Sequence, residues 1–344
     1  MSIDSTVAWD ERSESREGGT MSIVSALARS AVALIAACAL CAPAIAQTWP
    51  DKPVKLIVNF PPGGVADLLA RNIAPGISEA IKQPVVVENR PGANGAIGAD
   101  AVAKSPADGY TFLVTSGGAM TVDPFIYSNL PYDTQKDLTP VASLAVVRVF
   151  LLINPSVPAK NLNELVAYAR ANPGKLSYGS AGSGSSPHLA GEMFARAAKF
   201  QATHVPYKGA APALNDLLGG QVQFMFDPGP GLQHVATGKL TAIAVASGKR
   251  ASRYPDIPTL AELGMPVDAD TTFGVYAPAR VRAAIIERMN REINRALNSP
   301  VLLENIAKLG GDVAPMSIPE FVNRQAADRA RYGAFIKEAG IKVD

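Results

Sequence analysis

Residues 54 to 81 run Val54-Lys-Leu-Ile-Val-Asn-Phe60, then Pro-Pro-Gly-Gly-Val-Ala-Asp67, then an apolar helical pattern from Leu68-Leu69-Ala70 to Ile81. This stretch constrains the fold more than any other. A β-rich run that ends in a glycine turn and passes directly into a helix is a βα unit. Glycines permit positive φ and let an outside group approach the backbone. The first amides of the helix have no partner within it, and the helix dipole adds to their field. A turn of this kind holds an anion.

The same alternation continues along the chain. Strands are predicted at 54–60, 84–88, 111–116, 144–154, 175–180, 203–207, 222–227, 240–246 and 274–277. Helices are predicted at 67–81, 95–103, 162–172, 187–200, 212–218, 281–298, 301–308 and 319–339. Such alternation gives an α/β fold with largely parallel sheets. Leu144–Asn154 is long and nearly all apolar, broken only by Arg148. A strand of that length could cross between two lobes, and Thr272-Phe-Gly-Val-Tyr-Ala-Pro278 is the candidate for the return. The expected organisation is a two-lobed molecule with two crossovers: residues 47–148 plus 276–344 in lobe one, and 149–275 in lobe two.

The first 46 residues read as a leader. Residues 1–20 are polar and acidic, whereas Met21 starts an export pattern: Arg29, an apolar core from Ser30 to Leu40, and Ala44-Ile45-Ala46 before Gln47. The apolar run is too short for a good membrane span. Cleavage before Gln47 would leave 298 residues. A rival reading takes Ile35-Ala36-Ala37-Cys38 as a lipoprotein box that anchors the chain at Cys38. Both cysteines, Cys38 and Cys41, lie in this leader, so the mature chain would have no disulfide or thiol chemistry. Removing the leader's three arginines and five acidic residues leaves 29 basic against 25 acidic residues, a net charge of +4. That balance is mild and well mixed, and gives no basis for nucleic-acid binding.

Motifs for catalysis are missing. His188, His204 and His234 do not have zinc-ligand spacing. Gly179-Ser-Ala-Gly-Ser-Gly-Ser-Ser186 contains no Gly-x-Ser-x-Gly elbow. No phosphate-binding Gly-x-x-x-x-Gly-Lys loop occurs, and Gly92-Ala-Asn-Gly-Ala-Ile-Gly98 has the wrong spacing for a dinucleotide fingerprint. No cofactor, no metal and no catalysis are expected.

Candidate binding residues cluster at strand ends. At the first, Phe60, Pro62, Gly63, Gly64, Val65, Ala66 and Asp67 form either an anion pocket or a structural turn with Asp67 as cap and partner of Arg71. At the second, Thr115-Ser116-Gly117-Gly118-Ala119, Ser116, Gly117 and Ala119 could orient a ligand oxygen, or the segment is a polar turn. The third, Ser180 to His188, again runs from a strand into a helix. Pro187 suits the first helical turn, and Ser185 or Ser186 would cap. Ser180, Ala181, Gly182, Ser185 and Ser186 make it an anion cradle in the other lobe. His188 would either touch the ligand or face solvent. Tyr207 and Lys208 end one further strand, Phe226 and Asp227 another. Lys208 would add positive charge or point to solvent. Asp227 would accept a ligand hydroxyl or amine, or cap its own loop.

Two glycine turns in two lobes imply one anion held between them. A charge-assisted hydrogen bond contributes about 1.5–3 kcal/mol, and micromolar affinity needs roughly 8 kcal/mol. Several backbone donors reach that without an arginine clamp.

Longer stretches carry a family resemblance. Trp49-Pro-Asp-Lys-Pro-Val-Lys-Leu-Ile-Val-Asn-Phe60, Pro84-Val-Val-Val-Glu-Asn-Arg-Pro-Gly92, Asp108-Gly-Tyr-Thr111, Leu130-Pro-Tyr-Asp133, His204-Val-Pro-Tyr-Lys-Gly209, Leu217-Leu-Gly-Gly-Gln-Val222 and Met225-Phe-Asp227 resemble the Bug family. These are the extracytoplasmic solute receptors of tripartite tricarboxylate transporters. The resemblance spans essentially all of 49–344. It implies a type II periplasmic binding protein fold that closes by hinge motion. It implies a small organic carboxylate held by backbone groups and water at the Phe60–Asp67 and Thr115–Ala119 turns, with Ser180–His188 and Asp227 at the distal end. It further implies a periplasmic receptor, expected to act as a monomer, that serves a membrane permease; the alternative partner is a sensor kinase. Some positions depart from the family pattern. Thr271-Thr272 precedes Phe273-Gly274 where a tryptophan is common, Pro228-Gly-Pro-Gly231 follows the aspartate, Val65-Ala66 replaces small polar residues, and Ala279-Arg-Val-Arg282 replaces a Gly-Thr-Pro turn. These departures suggest a roomier or less polar pocket.

Overall fold

The computed structural model describes residues Trp49–Val343, which form one compact unit. The leader, with its export pattern and Cys38, lies outside the described residues.

Two sheets organise the unit. The larger holds β1 (Val54–Val58), β2 (Val85–Asn89), β3 (Thr111–Thr115), β4 (Leu138–Val147), β10 (Thr271–Pro278) and β11 (Asp312–Val313), in the order β11-β4-β10-β3-β1-β2. The smaller holds β5 (Phe150–Ile153), β6 (Ser177–Ser180), β7 (Thr203–Pro206), β8 (Phe224–Asp227) and β9 (Thr241–Val245), in the order β7-β6-β8-β5-β9. β1 is parallel to β2 and β3, and β6 is parallel to β7 and β8. β10 runs antiparallel to both β3 and β4, and β5 antiparallel to both β8 and β9.

Helix α1 (Val65–Ile81) buries Leu69, Ile73 and Ile77 against Val54, Leu56 and Val58 of β1. Helix α9 (Ala283–Ala296) adds Ile285, Met289 and Ile293 to the same core. The opposite face packs Ile57, Leu113 and Tyr276 against α2 (Ala96–Ala103) and Phe321 of α11 (Ile318–Ala339). Helices on both faces account for the apolar reading of these strands, since a sheet covered twice shows no alternation. In the smaller sheet, one face meets α5 (Leu162–Ala171) and Phe194 of α6 (Ser186–Ala197); the other meets Leu214 and Leu217 of α7 (Ala210–Leu218).

The predicted 144–154 strand is two strands. β4 starts earlier, at Leu138, because pairing with β10 carries Thr139 and Pro140 into the ladder, and it ends at Val147. Arg148 and Val149 separate it from β5 in the other sheet. Arg148 is buried and donates to the Gly310 carbonyl (2.9 Å) and to Asp312 (2.6 Å). A long cation with these partners cannot continue an apolar ladder, so the chain changes sheets there. The return comes earlier than expected: β10 is part of the larger sheet from Thr271 onward, and all eight of its residues are buried. Thr272–Pro278 is therefore a central strand rather than a crossing.

Candidate functional site: a cleft of helix N-termini

A cleft with about 80 Å³ of free space lies between the strand ends of the two sheets. One wall comes from the β1–α1 turn (Phe60, Pro61, Pro62, Gly64, Val65, Ala66), with Ser116 after β3 and Phe273 of β10. The other comes from Ala181, Ser185, Ser186 and Pro187 after β6, from Gly209, Ala210, Ala211 and Pro212 after β7, and from Pro228 after β8. The walls touch at the rim, where a Cβ on Gly209 would lie 3.1 Å from Pro61 Cγ. None of the lining side chains carries charge.

Three helices begin in this cleft: α1, α6 and α7. Their N-cap residues are Gly64, Ser185 and Gly209, and none of the three caps its helix with a side chain. Elsewhere the chain does cap helices this way, with Asn161 before α5 and Ser317 before α11. Gly64 is extended (φ −76°, ψ 169°), whereas Gly209 takes φ 127°, a value only glycine adopts readily. Val65, Ala66, Ser186, Ala210 and Ala211 line the cleft, and as first-turn residues their amides have no acceptor within their own helices. Ser185 spends its own groups internally: its N–H (3.1 Å) and hydroxyl (2.6 Å) both donate to the Gly182 carbonyl.

The structure turns several expected residues away from the cleft. Asp67 is buried and accepts from Gly63 N–H (2.9 Å), Arg71 Nε (3.0 Å) and Asn89 Nδ2 (2.9 Å). Burial pushes its pKa up, but these hydrogen bonds outweigh burial and hold it below the usual carboxylate range. Asp67 is thus the brace of the turn, and Gly63 N–H is occupied by it. Ala119 sits in the core with Tyr276 and Phe321, while Gly117 lines an adjoining cavity. Ser180 is buried and shares its hydroxyl with Gly182 N–H (3.2 Å) and His204 Nε2 (2.7 Å), which also occupies the Gly182 amide.

His188 neither lines the cleft nor faces solvent. It is buried, its Nδ1 accepts from Gly184 N–H (3.0 Å), and its ring stacks on His204 at 4.0 Å. Burial lowers its pKa to about 4, so the ring is neutral and braces the loop from behind. Tyr207 donates to Asp216 (2.6 Å), Lys208 is exposed, and Phe226 packs edge-on against Phe194 in the core. Asp227 caps its own loop, with Oδ1 accepting from Gly229 N–H (2.8 Å) and Gly231 N–H (2.7 Å).

Full burial raises the Asp227 pKa to about 6 despite those two amides. A raised native pKa disfavours the charged form, so the associated stability is complete below about pH 3.8 and is lost as pH rises through 6. Asp227→Asn keeps an acceptor for both amides and cannot ionise. Its melting temperature relative to the parent should climb between pH 4 and pH 7, by an increment worth roughly 3 kcal/mol. A difference that is flat across that range would show that Asp227 ionises without penalty.

The α7 wall went unread in the sequence. Tyr207 and Lys208 drew attention as chemically active side chains, whereas Gly209-Ala-Ala-Pro212 contributes backbone. A glycine followed by a helix with proline at its third position was the available signal.

A two-lobed α/β molecule with an uncharged cleft of helix ends between its sheets has the architecture of a periplasmic binding protein. Comparison with known proteins agrees. Residues 69–341 match the family described as the tripartite tricarboxylate transporter family receptor. The chain is 38% identical over 313 residues to BugT of Bordetella pertussis, covering 90% of this chain and 96% of that one. Among solved structures, R. palustris Rpa4515 with adipate shares 35% identity (TM-score 0.81), covering 86% of this chain and 100% of that one. MatC from Rhodopseudomonas palustris, with bound malate, shares 30% (TM-score 0.78), covering 84% and 100%. The chain belongs to the tripartite tricarboxylate transporter receptor family, whose members are solute-binding receptors. Among the described residues no helix is long and apolar enough to cross a membrane, and no group of three or more His, Cys, Asp or Glu could hold a metal ion.

Proposed function

We propose that the cleft captures a small organic carboxylate and that the loaded receptor delivers it to a membrane permease of the tripartite tricarboxylate type. The convergence of three helix N-termini without side-chain caps, in a cleft with no charged lining, carries this reading. Amides and dipole ends there have no internal acceptor and suit one anionic group, with Ser116 and Ser186 as further polar contacts. Adipate and malate in two relatives are carboxylates of the expected size. The lobes follow the two sheets, with hinges at Arg148–Val149 and just before Thr271. Because the donors are divided between the lobes, an acid bound to both favours the closed form.

Replacing the amide itself tests the reading. Ala210→Pro removes one N–H at the first position of α7, where proline is tolerated, and Gly209 with ψ 169° accommodates a following proline. Affinity for carboxylates should fall roughly tenfold, the worth of one charge-assisted hydrogen bond, with the melting temperature kept. Calorimetry on organic acids and their primary amides provides the readout. Equal binding of an acid and its amide, or unchanged affinity in the variant, would count against an anion held by backbone donors.

A further inference from the structure

Behind Ser116 and Ser186 the cleft adjoins a second, smaller space of about 20 Å³, room for one water-sized group such as a hydroxyl or an ammonium. Those two serines line both spaces. The second space has a different chemistry. Its walls include Asp270, Thr272, Tyr276, Gln325 and Asp328, and no lysine, arginine or histidine lines it. Nearby bases form ion pairs with other carboxylates: Arg331 with Asp268 (2.9 Å) and Asp328 (3.1 Å), Arg324 with Asp328 (3.1 Å), and Arg148 with Asp312 (2.6 Å), so Arg148 and Arg331 favour the charged Asp270 only through space. Asp328 is thereby paired. Asp270 is not. Its Oδ2 accepts from Ser247 Oγ (2.8 Å), but its Oδ1 is buried and has no hydrogen-bond partner.

We propose that this cavity receives the far end of the ligand and selects a hydrogen-bond donor, a hydroxyl or an ammonium, over a second carboxylate. The inference rests on the carboxylate reading above and narrows it. With the acid group at the helix ends, a ligand reaching past Ser116 and Ser186 presents its other end to the bare Asp270 oxygen. A donor satisfies that oxygen. A second carboxylate would be desolvated beside a like charge with no base lining the space to pair with it. Burial raises the Asp270 pKa to about 6, so the group is ionised at neutral pH.

The test is a matched ligand series at pH 7.5: hexanoate, 6-hydroxyhexanoate, 6-aminohexanoate and adipate, repeated on a benzoate frame with 4-hydroxymethyl, 4-aminomethyl and 4-carboxy groups. The hydroxy or amino member should bind the full-length mature protein at least about tenfold more tightly than the matching diacid. Asp270→Asn should then discriminate the two donors. An ammonium loses its advantage because the charge is gone, while a hydroxyl keeps most of it because the amide oxygen still accepts. The parent ranking needs no variant, so poor folding of Asp270→Asn would not shield the idea. A diacid binding more tightly than both donors overturns this inference and leaves the carboxylate reading standing. Failure of every acid to bind overturns both.

Discussion

Replacing Gly64 with valine should abolish acid binding and leave the protein folded. Gly64 is the N-cap of α1 and lines the cleft, and its φ of −76° suits any residue. A Cβ there meets only the Pro61 carbonyl, at an ordinary 3.5 Å. The two valine methyls would stand in front of the Val65 and Ala66 amides and keep a carboxylate from them. Losing two charge-assisted contacts weakens binding on the order of 100-fold or more. Valine is a poorer N-cap than glycine, and that costs about 1 kcal/mol of stability. Calorimetry should detect no binding at ligand concentrations that saturate the parent, while circular dichroism and cooperative melting persist. Undiminished affinity would mean that the acid does not sit at the start of α1.

Gly191→Ala should cost the fold much of its stability. Gly191 lies on α6, and a Cβ there would fall 2.3 Å from Cε2 and 2.7 Å from Cζ of Tyr178. That ring cannot yield. It stacks between His204 (5.0 Å) and Phe224 (5.2 Å), and its hydroxyl donates to Glu192 (2.7 Å). Either the helix moves outward or the stack breaks. Overpacking of this kind costs about 3 kcal/mol, more where the neighbours are rigid. The melting temperature should drop by roughly 6–12 °C. Acid affinity should fall with it, because a displaced α6 carries Ser186 out of the cleft. A variant that melts with the parent would show that the Tyr178 ring has room to shift.

Much of the fold could be read from local pattern. Val54–Val58 and Thr111–Thr115 are short apolar strands flanked by turn residues, and α1 repeats apolar residues at helical spacing down to Ile81. What escaped was non-local. β4 contains Pro140, which reads as a breaker, yet its partners β10 and β11 hold it in the ladder with register shifts. β11 is two residues long and exists only because β4 offers it an edge. At the candidate site, the glycine-rich strand ends at Phe60, Ser116 and Ser180 all lead toward the cleft or the cavity behind it. Sequence could not say which side of each turn faces inward. Asp67 and Asp227 could be read as ligand groups or as caps of their own turns, and Ser180 and His188 also read toward the ligand, because all four are polar and sit beside glycines. In the structure each one satisfies amides or hydroxyls of its own loop. Side chains brace the turns from behind, and the cleft side of each turn is backbone.

β10 lies between β3 and β4, and its residues are made only after the whole of the smaller sheet. The smaller sheet is contiguous in sequence, from Phe150 to Val245, whereas the larger is assembled from two separated stretches. A nascent chain can therefore complete the smaller sheet first. Until Thr271–Pro278 emerges, β3 and β4 remain open edges able to pair with other chains. That interval is when aggregation threatens most and when a holding chaperone would be needed.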